Sequence, residues 1–316
     1  MMKKQSILCL LLATCMLSGC AGGQNATQQK DFEKGIEKVD KADYKNAIKY
    51  FDSALKISSS VSSQEEDIVT YKAAAQYLSG DYKGAIKSAS NLINYDGKNS
   101  DYYYLRGSFY ADQKDFEKAD KDYKKAVSLS KNDYNLCFEI YENLVSHEST
   151  VNPEKYLDKV IAFDSKDGEI VNAKGDAYLY KGNTKEALEY YEKAVKTGYS
   201  TGYLGMAKCY YLDKDSKRAS KEIKNFESKE KDSPFKFNKA AEALMQIKDY
   251  KSALSSVQKG LDLKKDNHEQ DLKKNEIICY EYLGQFDKAK SKAKSYVKEY
   301  PGDHTMLREW KFLSTR

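Results

Sequence analysis

The strongest constraint on this chain is an echo within it. Gly107, Tyr110, Ala119, Tyr123 and Ala126 return as Gly175, Tyr178, Ala187, Tyr191 and Ala194, each displaced by 68 residues. That displacement is two steps of 34, a period that belongs to stacked helical repeats rather than to a core closed around one centre. A repeat unit cannot bury its apolar face alone, so the chain must grow by adding neighbours. At 316 residues it exceeds the usual size of a single core, and stacking removes that limit.

The period can be followed through most of the chain. Anchored on the small residue that opens each second helix, it passes through Ala47, Ala85, Ala119, Ala187, Ala219, Ala253 and Ala289. The 68-residue gap between Ala119 and Ala187 hides a degenerate unit at 132–166, in which Pro153 takes the alanine's place. Proline is tolerated in the first turn of a helix, so this unit can still form. An aromatic precedes the alanine in Asp43-Tyr44, Asp81-Tyr82, Asp115-Phe116, Asp249-Tyr250 and Gln285-Phe286. Gly80, Gly182 and Gly284 fall where paired helices must turn, a place for positive φ. Gly35, Ala73, Gly107, Gly175 and Ala207 are expected where the helices of a pair approach closely, with Phe51, Tyr123 and Tyr191 filling the space opposite.

A helix-turn-helix of 34 residues with small residues, aromatics and a closing proline (here Pro301) at fixed places resembles the tetratricopeptide repeat. The resemblance implies an all-α fold: an α-solenoid of about eight units over 31–301, whose first helices line a concave surface that binds a protein or peptide. Residues 302–316 read as a capping helix, with Asp303 at its start and Met306, Leu307, Trp310 and Leu313 on one face. The competing reading is a separate partner-binding helix using Trp310. Two polar stretches interrupt the array, Ser58 to Glu66 and Glu227 to Ser233, and either could bend it.

The start of the chain is of another kind. Lys3 and Lys4 precede a short apolar run that ends in Leu17-Ser18-Gly19-Cys20. The run is too short to span a bilayer comfortably and has the form of an export signal. Its end resembles the lipobox of bacterial lipoproteins, which implies removal of residues 1–19, acylation of Cys20 and a lipid anchor on the extracytoplasmic face of a bacterial membrane. Residues 20–30 then read as a polar tether. Stable anchoring needs more than one acyl chain, which that modification supplies.

Composition excludes several functions. Lys and Arg number 53 against 48 Asp and Glu, leaving no electrostatic footprint for nucleic acid. Beyond the leader, Cys137, Cys209 and Cys279 lie far apart with no CxxC, so they read as buried small hydrophobes rather than as metal or disulfide sites. His147, His268 and His304 are isolated, and no phosphate loop or calcium loop occurs. Gly198-Tyr199-Ser200-Thr201-Gly202 matches the nucleophile elbow G-x-S-x-G, but that device needs a strand leading into the serine. Helical segments flank it here, so it reads as a turn between repeats. The expectation is a chain without catalytic residues, cofactor or metal.

Helical spacing selects the residues of the expected concave row. They are Asp101, Tyr104, Ser108 and Asp112; then Asn135, Phe138, Glu142 and Ser146; then Glu169, Asn172, Asp176 and Tyr180; then Leu204, Lys208 and Tyr211. Some relatives grip a carboxy-terminal carboxylate with Lys and Asn in this row. The matching places here hold Tyr104, Ser108, Phe138, Glu142, Asn172 and Asp176, so that clamp is absent. An acidic, aromatic row suits a basic or extended peptide. A lipid-anchored surface protein for a non-protein ligand such as a glycan is the alternative.

Overall fold

The structure is a computed structural model that describes residues 26–57, 63–131, 133–264 and 268–315. Cys20 and the leader lie outside the described residues. Within them are seventeen α-helices and no strand. In order they are α1 (Ala26–Asp40), α2 (Tyr44–Ile57), α3 (Ser63–Ser79), α4 (Tyr82–Tyr95), α5 (Ser100–Asp112), α6 (Phe116–Leu129), α7 (Tyr134–Ser146) and α8 (Glu154–Ile161). There follow α9 (Gly168–Tyr180), α10 (Thr184–Lys196), α11 (Gly202–Leu212), α12 (Ser216–Lys229), α13 (Pro234–Gln246), α14 (Tyr250–Asp262), α15 (Glu269–Tyr282), α16 (Phe286–Glu299) and α17 (His304–Ser314). The chain divides into two compact units, Met1–Lys159 and Val160–Arg316. Within each, outside the degenerate unit, successive helices pair and each pair packs on the next, the all-α solenoid pattern that the period requires.

The core of each pair outside the degenerate unit is built around the anchoring alanine. Ala47, Ala85, Ala119, Ala187, Ala219, Ala253 and Ala289 are all fully buried. A Cβ added to Gly107 would lie 2.6 Å from the Tyr123 ring, and one on Gly175 would lie 2.6 Å from the Tyr191 ring. These two rings are fully buried, so the small residue and the large one are a single packing device.

The aspartates before the turn aromatics explain themselves in the structure. Asp81, Asp115 and Asp249 are N-caps whose carboxylates accept from Gly84, Lys118 and Ser252 backbone N–H groups, and Asp215, which precedes Ser216, caps α12 in the same way by accepting from the Arg218 N–H. At the ends of the first helices Gly80, Gly182 and Gly284 have φ of +89°, +76° and +70°, as expected. Elsewhere the same left-handed place is held by Ala42, Lys114, Glu148, Lys214 and Lys248. The turn tolerates them because it satisfies carbonyls that a helix end would leave bare, as in the Asp115 N–H bond to Tyr110 O at 2.9 Å.

Three boundaries move. Residues 26–30, expected in the tether, form the first turn of α1. Gln28 is buried there, its amide donating to Glu65 Oε1 at 2.7 Å and Ala54 O at 3.2 Å. A polar side chain that finds two acceptors can be buried, so polarity alone misplaced the boundary. Residues 63–66 of the first polar stretch open α3, and residues 58–62 lie outside the described residues. Of the second stretch, α12 takes residues 227–229 and Ser233 caps α13, accepting from the Lys236 N–H at 3.1 Å.

Both helices of the degenerate unit form, the second of eight residues beginning just after Pro153. Tyr156 takes the filling role and is fully buried; its hydroxyl donates to Asp120 Oδ1 at 2.8 Å. At the other end, Asp303 caps α17 by accepting from Thr305 and Met306 N–H groups. Met306 and Leu313 are buried and Trp310 packs beside them, covering the last pair.

Candidate functional site

The expected concave row is divided between the two units, and each part has its own chemistry. In the first unit Asp101 and Glu142 are exposed, and Tyr104, Asp112 and Phe138 are half-buried. Phe138 packs edge-on to Tyr134 with centroids 6.3 Å apart. Ser108 departs from expectation: it is 2 % exposed and its hydroxyl donates to Tyr104 O at 2.9 Å. It lies beside Gly107, against the Tyr123 hydroxyl at 3.5 Å, where the helix pair is tightest. Ser108 therefore belongs to the packing and not to an open surface.

A carboxylate that the spacing did not select gathers this part of the row. Glu139 is half-buried, and burial pushes it up to about 7, helped by the negative charges of Asp133, Asp101 and Glu142. Burial likewise raises Tyr104, whose ionised form would face Glu139 and Glu142. Tyr104, Glu139, Glu142 and Asp101 are thus near neighbours.

Asp112 is engaged within the protein. Its Oδ1 lies 3.0 Å from His147 Nε2, and its buried Oδ2 has no hydrogen-bond partner among the described residues. Burial raises the Tyr77 hydroxyl, and the adjacent Asp112 adds to that shift.

In the second unit Glu169 and Tyr180 are exposed, and Asp176, Lys208 and Tyr211 are half-buried. Asn172 is a second departure, being 9 % exposed. Its amide donates to Asp176 Oδ2 at 3.1 Å, while the Tyr191 hydroxyl donates to Asp176 Oδ1 at 2.7 Å. Burial raises Asp176; the Tyr191 bond and the Lys208 charge oppose the rise. Asn172 and Asp176 therefore link the row to the filling tyrosine. One more 34-residue step from Leu204 and Lys208 lands on Asn238 and Glu242. The Asn238 amide donates to Glu242 Oε1 at 2.8 Å and its carbonyl accepts from Asn275 Nδ2 at 2.8 Å. Extending the period would have found this pair; Glu139 and the Asp112–His147 contact needed tertiary structure.

Ser200 lies in the turn between α10 and α11, and its hydroxyl donates to a Glu230 carboxylate oxygen. No strand leads into it. His268 packs on Phe235 at 5.4 Å and lies 3.6 Å from Asp271 Oδ2, while the His304 side chain is outside what the structure describes. Cys137, Cys209 and Cys279 are fully buried, and burial pushes each thiol up to about 12. Among the described residues no group of three or more His, Cys, Asp or Glu side chains is placed to hold a metal ion. No described helix is long and apolar enough to cross a membrane.

Family models for the tetratricopeptide repeat match residues 100–133 and 168–197, and a second such model matches 278–303. The chain carries tetratricopeptide repeats, a helical-pair fold of protein-interaction scaffolds. Among solved structures, a tetratricopeptide-repeat protein from Parabacteroides merdae is similar at 16% identity and a TM-score of 0.43, over 81% of this chain and 99% of that one. The carboxy-terminal part of a repeat protein from Cytophaga hutchinsonii is similar at 16% identity and 0.42, over 88% and 98%. The TPR2AB domain of yeast Sti1, in its pHSP90 complex, is similar at 16% identity and 0.33, over 80% and 98%.

Proposed function

We propose that this chain is a lipid-anchored, extracytoplasmic scaffold of a bacterial cell envelope that binds a basic segment of a partner protein. The approach of Glu139 and Glu142 to Tyr104 in the first unit, with Asp101 close to Glu139, carries this reading. Carboxylates beside an aromatic ring favour a lysine or arginine side chain, through both charge and the ring face. The anchoring part rests on the lipobox ending in Cys20. A glycan ligand is the second reading. It draws on Tyr282, 65% exposed and stacked on Tyr250 at 4.2 Å with the rings 2° from parallel, a flat face that a sugar ring could cover.

Photo-crosslinking from position 104 in intact cells tests the binding. A protein adduct that weakens in Glu139→Gln, Glu142→Gln supports the reading. Adducts that resist both substitutions, or glycan adducts alone, overturn it. Membrane fractionation tests the anchor: Cys20→Ala must release the chain, and retention of that variant would refute the lipobox assignment.

A further inference from the structure

His147 sits at the carboxy-terminal cap of α7, and both of its ring nitrogens face oxygen acceptors. Nδ1 lies 2.7 Å from the Asn143 carbonyl oxygen, and Nε2 lies 3.0 Å from Asp112 Oδ1. A carbonyl oxygen cannot donate, so Nδ1 carries a hydrogen. An ionised Asp112 cannot donate either, so Nε2 must also donate, and only an imidazolium satisfies both contacts at once. A neutral imidazole has a single N–H and can satisfy only one of the two acceptors. The site favours the cation in a second way, because His147 stands at the negative end of the α7 dipole.

The contact occupies a thin part of the first unit. Helix α7 approaches α6 far more sparingly than α5 approaches α4. Polar bonds make up part of the difference: the Tyr123 hydroxyl donates to Asn143 Oδ1 at 2.8 Å, and Tyr156 reaches Asp120. His147–Asp112 joins the ends of the first helices of two successive pairs, α5 and α7. Asp112 faces His147 from α5, and behind it stands Tyr77 of α3. On its own side are the Ser146 hydroxyl, 3.2 Å from Nδ1, and Glu148 with φ of +53°.

We propose that His147 and Asp112 form a proton-dependent clasp between α5 and α7, closed when a solvent proton binds the imidazole and opened when it leaves. Closure occupies Asp112 Oδ1; opening leaves that oxygen to the concave row, with Tyr77 still behind the carboxylate. The sign follows from linkage. A histidine whose folded pKa lies above its unfolded value, about 6.5, stabilises the fold fully below that value. The stabilisation is lost as pH rises through the folded pKa. The clasp does not depend on what the row binds.

The test is a pH titration of the His147 ring by proton–carbon correlation spectra of the full chain, with His268→Gln and His304→Gln to assign the signals. The His147 ring is expected to titrate above the ordinary histidine value. In Asp112→Asn its pKa should fall toward the ordinary value, with the α7 dipole and the Asn143 carbonyl still in place. A wild-type value at or below the ordinary one overturns the proposal without any variant. An unchanged value in Asp112→Asn overturns it too. Hydrogen-exchange protection of α7 gives an independent reading: the fall in protection from pH 6 to pH 9 should be larger in the wild type than in His147→Gln, where Glu139 on the same helix still loses its proton, and equal falls in the two overturn the proposal.

Discussion

Gly175 lies so close to Tyr191 that a Cβ built on it would stand 2.6 Å from the ring, and Gly107 repeats the relation to Tyr123. Both tyrosines are fully buried and cannot swing aside without opening the pair. Gly175→Ala therefore has to shift a ring within a filled interior. Overpacking costs about 1–3 kcal/mol, and the better helix propensity of alanine returns about 1 kcal/mol at most. Urea denaturation should show a net loss for Gly175→Ala and Gly107→Ala. Gly182→Ala has open space around it and φ of +76°, so its cost is strain alone, about 1 kcal/mol.

Arg106 holds α5 to α6 and α4. Its Nε and Nη2 donate to Asp122 at 2.7 and 2.8 Å, and Nη1 donates to Ser90 Oγ at 3.1 Å. Asp122 is 4 % exposed. Arg106→Met strands a buried carboxylate, a loss of about 3–5 kcal/mol. Arg106→Lys keeps the charge and loses the fork, so it should fall between that variant and the wild type. Chemical denaturation of the two variants beside the wild type gives the order; equal stability of Lys and Met would show that the fork contributes nothing.

Glu139 makes the fold less stable at neutral pH than in mild acid. Its folded value of about 7 exceeds the unfolded value of about 4.3. The folded state therefore binds the extra proton between these values, and stability falls as pH rises through that window. Glu139→Gln removes the penalty. Solvent screening of this half-exposed group leaves an effect on the order of 1 kcal/mol. Melting temperatures should show the variant more stable than the wild type at pH 8 and equal to it at pH 4.

Asp120 works in the opposite direction. Burial raises its pKa, but Lys124, Lys155 and the Tyr156 hydroxyl outweigh burial and hold it below the ordinary value. A depressed carboxylate stabilises the fold above its unfolded pKa, about 3.9, and that contribution fades as pH falls through the folded value. Asp120→Asn should flatten the acid limb of the stability curve and leave the melting temperature at pH 4 less changed than at pH 7.

Cys137, Cys209 and Cys279 are fully buried, with thiols pushed up to about 12. A thiol reagent at pH 8 should leave all three unmodified in the native chain and label them in 6 M guanidinium chloride, a denaturing concentration for most domains. Native labelling at any of the three would reveal local opening of its helix pair.

Much of the architecture is legible before folding. The alanine that opens each second helix must be small because two helix axes meet there, so its recurrence marks each pair. Gly107 with Tyr123 and Gly175 with Tyr191 form one complementary shape, and such a shape leaves a residue-level trace. The concave row was read less well. Helical spacing selected Ser108 and Asn172, yet both are buried. Spacing gives an angle around a helix axis and not the depth to which a neighbouring helix covers it.

The sequence alone determined the period, the helix pairing, the Asp303 cap and the left-handed turns at Gly80, Gly182 and Gly284, because each depends on residues within about one repeat of each other. Only the tertiary structure decided that Glu139 stands among three other carboxylates, that Asp112 answers His147, and that Gln28 is interior. These relations join side chains from different helices, and their energies depend on burial and on distances that a linear pattern does not carry.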